Sequence, residues 1–270
     1  MELNPIIEVN DLHFSYKNHK VLSGINFELN RGEVVSLLGI NGCGKSTLIK
    51  LILKLIHTDA DIKIDAKELK SYSHKDLAHK IAYIPQYNNT PFNYQVLDMV
   101  LMARVTKLGF FAQPSKKDYE VAMAALEKIG MEHLKNRAFG QLSGGQKQMV
   151  LLARSIAQEV NTFIMDEPVA GLDYGNQIRL LELIDSLASE GYTFLKTTHY
   201  PDHALLMSSR VVVMHEGVIV ADDAPDAVIT KEMIEKIYDI KADIITHGEH
   251  KRCLPIFETN RQKDLHELTI

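Results

Sequence analysis

The spacing of apolar positions changes character several times along this 270-residue chain. Two loosely alternating runs, Ile7–Tyr16 and Val21–Leu29, predict paired strands around a turn at Lys17–Lys20. Val34-Val35-Ser36-Leu37-Leu38 is short and apolar enough for a buried strand. Leu48, Leu51, Ile52, Leu55 and Ile56 then recur at helical spacing, and Ile62–Asp65 returns to a strand. Ser73 with Asp76 three residues on marks a helix start. Ile81–Ile84 is a further strand, stopped by Pro85 and followed by Gln86.

From about Tyr87 to Gly140 no strand pattern occurs. Val96–Arg104 is an apolar segment, Gly109–Pro114 a loop, and Ser115–Asp118 opens a helix whose stripe Val121, Ala122, Ala125, Leu126 and Ile129 closes at Gly130. This is the texture of a helical subdomain inserted into an α/β core. Past it, Met149–Ala157 is an apolar helical run, and Thr162–Met165 a buried strand ending in Asp166-Glu167-Pro168. Leu172-Asp173 opens a helix through about Ser189, closed at Gly191, and Phe194–Thr198 is the next strand, with His199 at its end. Arg210–His215 and Val218–Ala221 predict a hairpin across Glu216-Gly217. Strands alternating with helices, with polar groups gathered at strand ends, predict a mostly parallel α/β sheet that carries its site along that edge.

The chemistry starts between the third predicted strand and the first helix. There, Gly39-Ile40-Asn41-Gly42-Cys43-Gly44-Lys45-Ser46-Thr47 fits G-x-x-x-x-G-K-[ST], a phosphate-binding loop. Glycines let successive N–H groups curl inward at a phosphate, and the helix N-terminus adds partial positive charge. Lys45 would reach the β- and γ-phosphates, and the Ser46 hydroxyl would help hold Mg²⁺.

Composition narrows the partners. Hydrophobic residues make up 46% and charged residues 24%, the profile of a globular chain with one generous core. A formal net charge of −5 gives nucleic acid no basic face, so phosphate chemistry is confined to the loop. No apolar stretch is long enough to span a bilayer; Lys50 and Lys54 interrupt Leu48–Ile56. Met1–Pro5 lacks the parts of a secretory signal, and Cys43 and Cys253 make no disulfide framework, so a reducing cytoplasm is the expected setting.

Leu142-Ser143-Gly144-Gly145-Gln146 stands before a helix, behind the phosphate loop and ahead of Asp166-Glu167 and His199. With this set in this order, the chain resembles the ATPase subunits of ABC transporters from about Ile7 to Ala224. The resemblance implies a P-loop NTPase core with a mostly parallel sheet, an N-terminal antiparallel β subdomain and an inserted α-helical subdomain at about 87–140. These make an ATPase domain over 1–225, followed by a C-terminal extension over 226–270. It further implies ATP and Mg²⁺, with Asp166 holding the metal alongside Ser46 and Gln86. Glu167 would polarise the attacking water, help worth about 10²–10⁴ in rate. Gln86 would sense the γ-phosphate and link core to subdomain, His199 would contact the γ-phosphate, and Asp173 matches the family's D-loop aspartate. Tyr16, which by position alone reads equally as a half-buried strand tyrosine, becomes the adenine-stacking aromatic.

Ser143, Gly144, Gly145 and Gln146 offer donors at a second helix N-terminus. The resemblance implies that they close over the nucleotide of a second copy, so that two chains pair head to tail around shared ATP. It also implies transmembrane permease subunits met at the cytoplasmic face of the membrane, and a periplasmic or extracellular substrate-binding protein acting indirectly. The Gln86 loop and Val96–Ala103 are the expected docking surface, most of that segment serving as core. Ser73–Gln86, Val96–Arg104, Gly140–Ala157 and the tail Met233–Pro255 resemble importers of iron chelates, haem, cobalamin and molybdate-type oxyanions, with Pro91–Leu126 closest to the molybdate/tungstate kind. The alternatives are an exporter ATPase, a Zn²⁺ or Mn²⁺ importer, and a soluble ABC ATPase outside transport.

Some positions depart from that pattern. Tyr200 follows His199 where aspartate is frequent, and Val169 replaces threonine or serine. Lys196 lies in a strand that is otherwise apolar; buried there it needs a partner or a lowered pKa, and the alternative account is exposure at a sheet edge. Cys43, at a helix N-terminus, is expected to favour its thiolate. His247, Glu249, His250 and Cys253 cluster in the tail, but not at zinc-ligand spacing.

Overall fold

The computed structural model describes residues 5–86, 94–107, 113–248 and 250–257. The chain opens with a long hairpin, β1 (Pro5–Tyr16) and β2 (His19–Asn30), antiparallel and repeatedly bulged. Its inward positions Ile7, Val9, Leu12, Leu22, Ile25 and Leu29 are buried. β3 (Val34–Leu38) leads through the phosphate loop into α1 (Lys45–Ile52). That helix is shorter than its apolar stripe predicts. Leu53 is its C-cap, Lys54 takes a left-handed φ of 58°, and the chain turns away, leaving Leu55 exposed. β4 (Asp61–Ile64) and β5 (Lys67–Glu68) complete a four-stranded antiparallel sheet in the order β2-β1-β4-β5.

α2 (His74–Ala78) starts from a Ser73/Asp76 capping box and delivers the chain to β6 (Ile81–Ile84). α3 (Val96–Leu101), which runs into a 3₁₀ turn at Met102–Lys107, α4 (Lys116–Lys128) and α5 (Gly144–Ala157) come next. Of the loop predicted at Gly109–Pro114, residues 109–112 lie outside the described residues. Val96, Met99, Val100, Ala122 and Leu126 pack with Val150 and Leu152 of α5 in one core. Buried Arg104 ties the 3₁₀ turn down, donating to Asp118 at 2.9 Å and to Glu159 at 2.7 Å.

β7 (Thr162–Met165), α6 (Tyr174–Ser189), β8 (Thr193–Thr198), α7 (Pro201–Met207), β9 (Arg210–His215) and β10 (Val218–Asp223) follow. The main sheet has the order β10-β9-β3-β8-β7-β6; all its neighbours pair in parallel except β10, which is antiparallel to β9. On one face Val35, Leu37, Ile164 and Leu195 meet α1 and the antiparallel sheet. On the other, Phe163, Met165 and Phe194 meet α5 and α6. α8 (Pro225–Val228), α9 (Lys231–Tyr238) and the hairpin β11 (Ala242–His247) and β12 (His250–Pro255) cover the rest of that face, burying Leu38, Val211 and Val213 against Ile234 and Ile237. His247 and His250 are exposed on the hairpin, while Glu249 and residues 258–270 lie outside the described residues.

Lys196 is not at an edge. β8 runs between β3 and β7, and Lys196 is 1% exposed in the middle of the sheet. Its ammonium reaches the His203 carbonyl at 3.5 Å, and burial pulls its pKa down to about 7.

Candidate active site

Helix α1 starts without a side-chain cap. Its N-cap, Gly44, has φ 109°, and a Cβ there would lie 2.6 Å from Leu22. Only glycine fits that conformation and that gap. The first-turn N–H groups are therefore left for whatever enters the cleft above them. That cleft, about 370 Å³, brings Asn41, Gly42 and Gly44–Thr47 together with Gln86 and Glu167, and Val21 forms part of its wall.

Lys45 is buried, and its Nζ donates to the carbonyls of Gly39 at 2.8 Å and Ile40 at 2.9 Å. Among the described residues it makes no ion pair. A buried cation answered only by neutral carbonyls favours an incoming anion. Cys43 corrects the sequence expectation. It is 3% exposed with Sγ 3.9 Å from the Lys45 Nζ, and burial raises its thiol despite that cation, so the thiol form is favoured.

The acidic pair closes the cleft from β7. Asp166 is buried, and its Oδ1 accepts from the Ser46 hydroxyl at 3.1 Å and from the Thr197 hydroxyl at 2.7 Å. The same Thr197 oxygen accepts from the Glu167 amide at 2.7 Å. Glu167 holds a left-handed φ of 46°, the kind of backbone strain that collects at functional sites. Its carboxylate accepts from the Gln86 amide at 2.7 Å and lies 3.4 Å from His199 Nδ1. The Tyr200 ring stands 4.1 Å from the His199 ring, and the Tyr200 amide donates to the Thr198 hydroxyl. Val169, the other departure beside the acidic pair, is buried in the core.

A second cluster forms apart from the cleft. Ser143 caps α5, exchanging bonds with Gln146 at 3.3 and 3.1 Å. A Cβ on Gly145 would lie 2.5 Å from the Asn176 side chain, so glycine is what lets the starts of α5 and α6 approach. Asn176 in turn donates to Asp173 through its backbone amide at 2.9 Å and its side chain at 2.6 Å. None of Ser143, Gly144, Gly145, Gln146 or Asp173 lines the cleft, and neither does Tyr16, which is 44% exposed and packs edge-on against Phe14.

Two residues escaped the sequence reading. Thr197, which organises both carboxylates' surroundings, carried only a weak signal: its place two residues before His199 at a strand end. Asn176 carried none, because its role depends on how two helices meet.

Among the described residues no three His, Cys, Asp or Glu side chains converge as a metal cage. The Ser46 hydroxyl beside the Asp166 carboxylate is instead a hard-oxygen pair suited to Mg²⁺, which binds through one or two carboxylates plus phosphate oxygens. A larger hollow of about 420 Å³, lined in part by Lys54, Asp59, Asp61 and Glu68, includes none of these groups.

The ABC transporter family model matches residues 22–170. An uncharacterised ABC transporter ATP-binding protein of Haemophilus influenzae is 36% identical over 89% of this chain and 92% of its own length. The molybdate import ATP-binding protein MolC of the same organism is 39% identical over 79% of this chain and 81% of its own. Among solved structures, a chain from a transporter described as of the metal-chelate type, in an inward-facing conformation, superposes with a TM-score of 0.84 at 33% identity, covering 95% of this chain and 99% of that one. The phosphate cleft thus sits within a match that runs over most of the molecule, and the chain belongs to the ABC transporter family as one of its ATP-binding, ATP-hydrolysing subunits.

Proposed function

We propose that this subunit powers an importer of a metal chelate or a molybdate/tungstate-type oxyanion across the cytoplasmic membrane. The observation that carries the reading is the gathering of Gln86, Asp166, Glu167 and His199 opposite the uncapped start of α1. In this reading the triphosphate lies along the loop from Asn41 to Thr47, and Lys45 turns from its own carbonyls to the phosphates. Glu167 accepts a hydrogen bond from the attacking water as it meets the γ-phosphorus, Gln86 orients that water, and His199 steadies the γ-phosphate. Ser46, Asp166 and Gln86 would hold Mg²⁺, which would supply neutralisation of phosphate charge. Tyr16 stacks on the adenine.

ABC ATPase subunits work with membrane permease partners. Here the helical insertion at about 87–140 docks on the permease from the cytoplasmic side, and a binding protein delivers cargo to it. Ser143, Gly144, Gly145 and Gln146, joined to Asp173 through Asn176, face the nucleotide of a second copy in a head-to-tail dimer. The cargo class is supported by the likeness to MolC and to the metal-chelate type transporter.

The test is Glu167→Gln. Turnover should fall by about 10²–10³ while MgATP binding persists, and saturating MgATP should shift elution from monomer to dimer. Wild-type turnover, or a monomer at saturation, overturns the reading. The cargo is read separately, by whether the reconstituted transporter's ATPase responds to a binding protein loaded with molybdate or with a ferric chelate.

A further inference from the structure

Helix α9 lies beyond the last strand of the main sheet, yet its final residue reaches back to the site. The Tyr238 hydroxyl donates to the main-chain carbonyl of His199 at 3.0 Å. α9 is firmly seated: Ile234 and Ile237 are buried with Leu38, the residue just before the phosphate loop, and with Val211 and Val213. Burial pushes the Tyr238 phenol well above its ordinary range, with the Cys43 and Cys253 thiols adding to the push, so the hydroxyl stays a donor. A second tie comes from the terminal hairpin, where the Cys253 amide donates to the Asp202 carboxylate at 2.8 Å. The segment after residue 225 therefore grips the turn at 199–202 at both ends.

That grip falls where the site is loosest. The only hydrogen bond of the His199 imidazole among the described residues is the long 3.4 Å contact to Glu167. Where the ring points is set mostly by its own backbone and by the Tyr200 ring beside it.

We propose that Tyr238 is a positioning residue for ATP hydrolysis, holding the His199 carbonyl so that the imidazole faces the γ-phosphate end of the cleft. The inference rests on the γ-phosphate role proposed above for His199. It makes the C-terminal segment a working part of the ATPase.

The experiment uses the full-length chain. Tyr238→Phe removes one hydroxyl and keeps the ring. It should lower kcat about five-fold, the rate equivalent of one ordinary hydrogen bond, with KM for MgATP changed by less than about two-fold. In a His199→Ala background the same change should cost nothing further, because there is no imidazole left to aim. Asp202→Ala, which frees the Cys253 amide, should lower kcat in the same direction at unchanged KM and serves if the phenylalanine variant does not fold. Unchanged kcat, or an equal loss with and without His199, overturns the role of Tyr238. Wild-type turnover in His199→Ala alone would instead sink the reading of His199 itself, a separate result.

Discussion

Thr197 and Lys196 are neighbours on β8 and point to opposite faces of one sheet, and they have met opposite fates. Thr197 is buried with its hydroxyl fully used, donating to Asp166 and accepting from the Glu167 amide. Lys196 is as deeply buried, and its charge has one carbonyl at 3.5 Å. A buried polar group with partners is close to neutral for stability, whereas a buried charge without them is costly and gives up its proton instead. On the face turned toward α1, Thr197 and Ser46 both donate to Asp166, and Thr197 also takes the Glu167 amide. On the face turned toward α7, Ser36 is paired with Ser208, but Lys196 is carried as a standing cost.

The largest effect should come from Lys196. Its pKa is about 7 in the fold against 10.5 in the unfolded chain. Between those values the unfolded chain binds the extra proton, so stability rises with pH across that window, and the penalty is greatest below it. Lys196→Met should therefore stabilise by ~3–4 kcal/mol at pH 7 and by under about 0.5 kcal/mol at pH 10.5. Denaturant midpoints at the two pH values measure it. A pH-independent gain would mean that the lysine is not desolvated as the sheet order requires.

Thr197→Val is the matching change on the other face and should act on rate. It leaves the Asp166 carboxylate short of a donor and orphans the Glu167 amide, so kcat should drop about 30–100-fold, ~2–3 kcal/mol of barrier. Thr197→Ser should recover most of that loss. A valine variant with wild-type turnover would show that Asp166 and Glu167 are held by their other contacts alone.

This contrast also marks how far the sequence can be read. The phosphate loop and the acidic pair each follow a strand directly, so their placement at the edge of a parallel sheet was legible, and the Ser143–Gln146 helix start was legible from its own contiguous motif. So were the Ser73 and Ser115 helix starts, because a capping box is closed within four residues. What failed was whatever depends on strand order. Nothing in Phe194–Thr198 says that β8 lies between β3 and β7, so the choice between a buried and an edge Lys196, and the bridge from Thr197 to Asp166, 31 residues apart, were out of reach. The end of α1 failed for a different reason: the apolar stripe continues, but a left-handed Lys54 stops the helix. Cys43 failed because helix-end electrostatics was weighed without burial, which here is the larger effect.

The smallest effect, and the finest probe of the back face, is His203. It sits on α7 with 8% exposure, and its Nδ1 has no hydrogen-bond partner among the described residues. Burial first, then the charges of Lys196, His199 and Arg252 against an opposing Asp202, lower its pKa to about 4. The unfolded chain takes the proton near pH 6.5 and the folded one only near 4, so stability is lost as pH falls through that interval. His203→Leu should remove this acid limb, gaining about 1 kcal/mol at pH 5 relative to its effect at pH 7.5. The gain should shrink in a Lys196→Met background, because one of the charges that disfavours the imidazolium is gone. Thermal midpoints of the four proteins at both pH values decide the matter. Identical pH profiles for wild type and His203→Leu would mean that the imidazole reaches solvent when it protonates, and the cost assigned to this face would then belong to Lys196 alone.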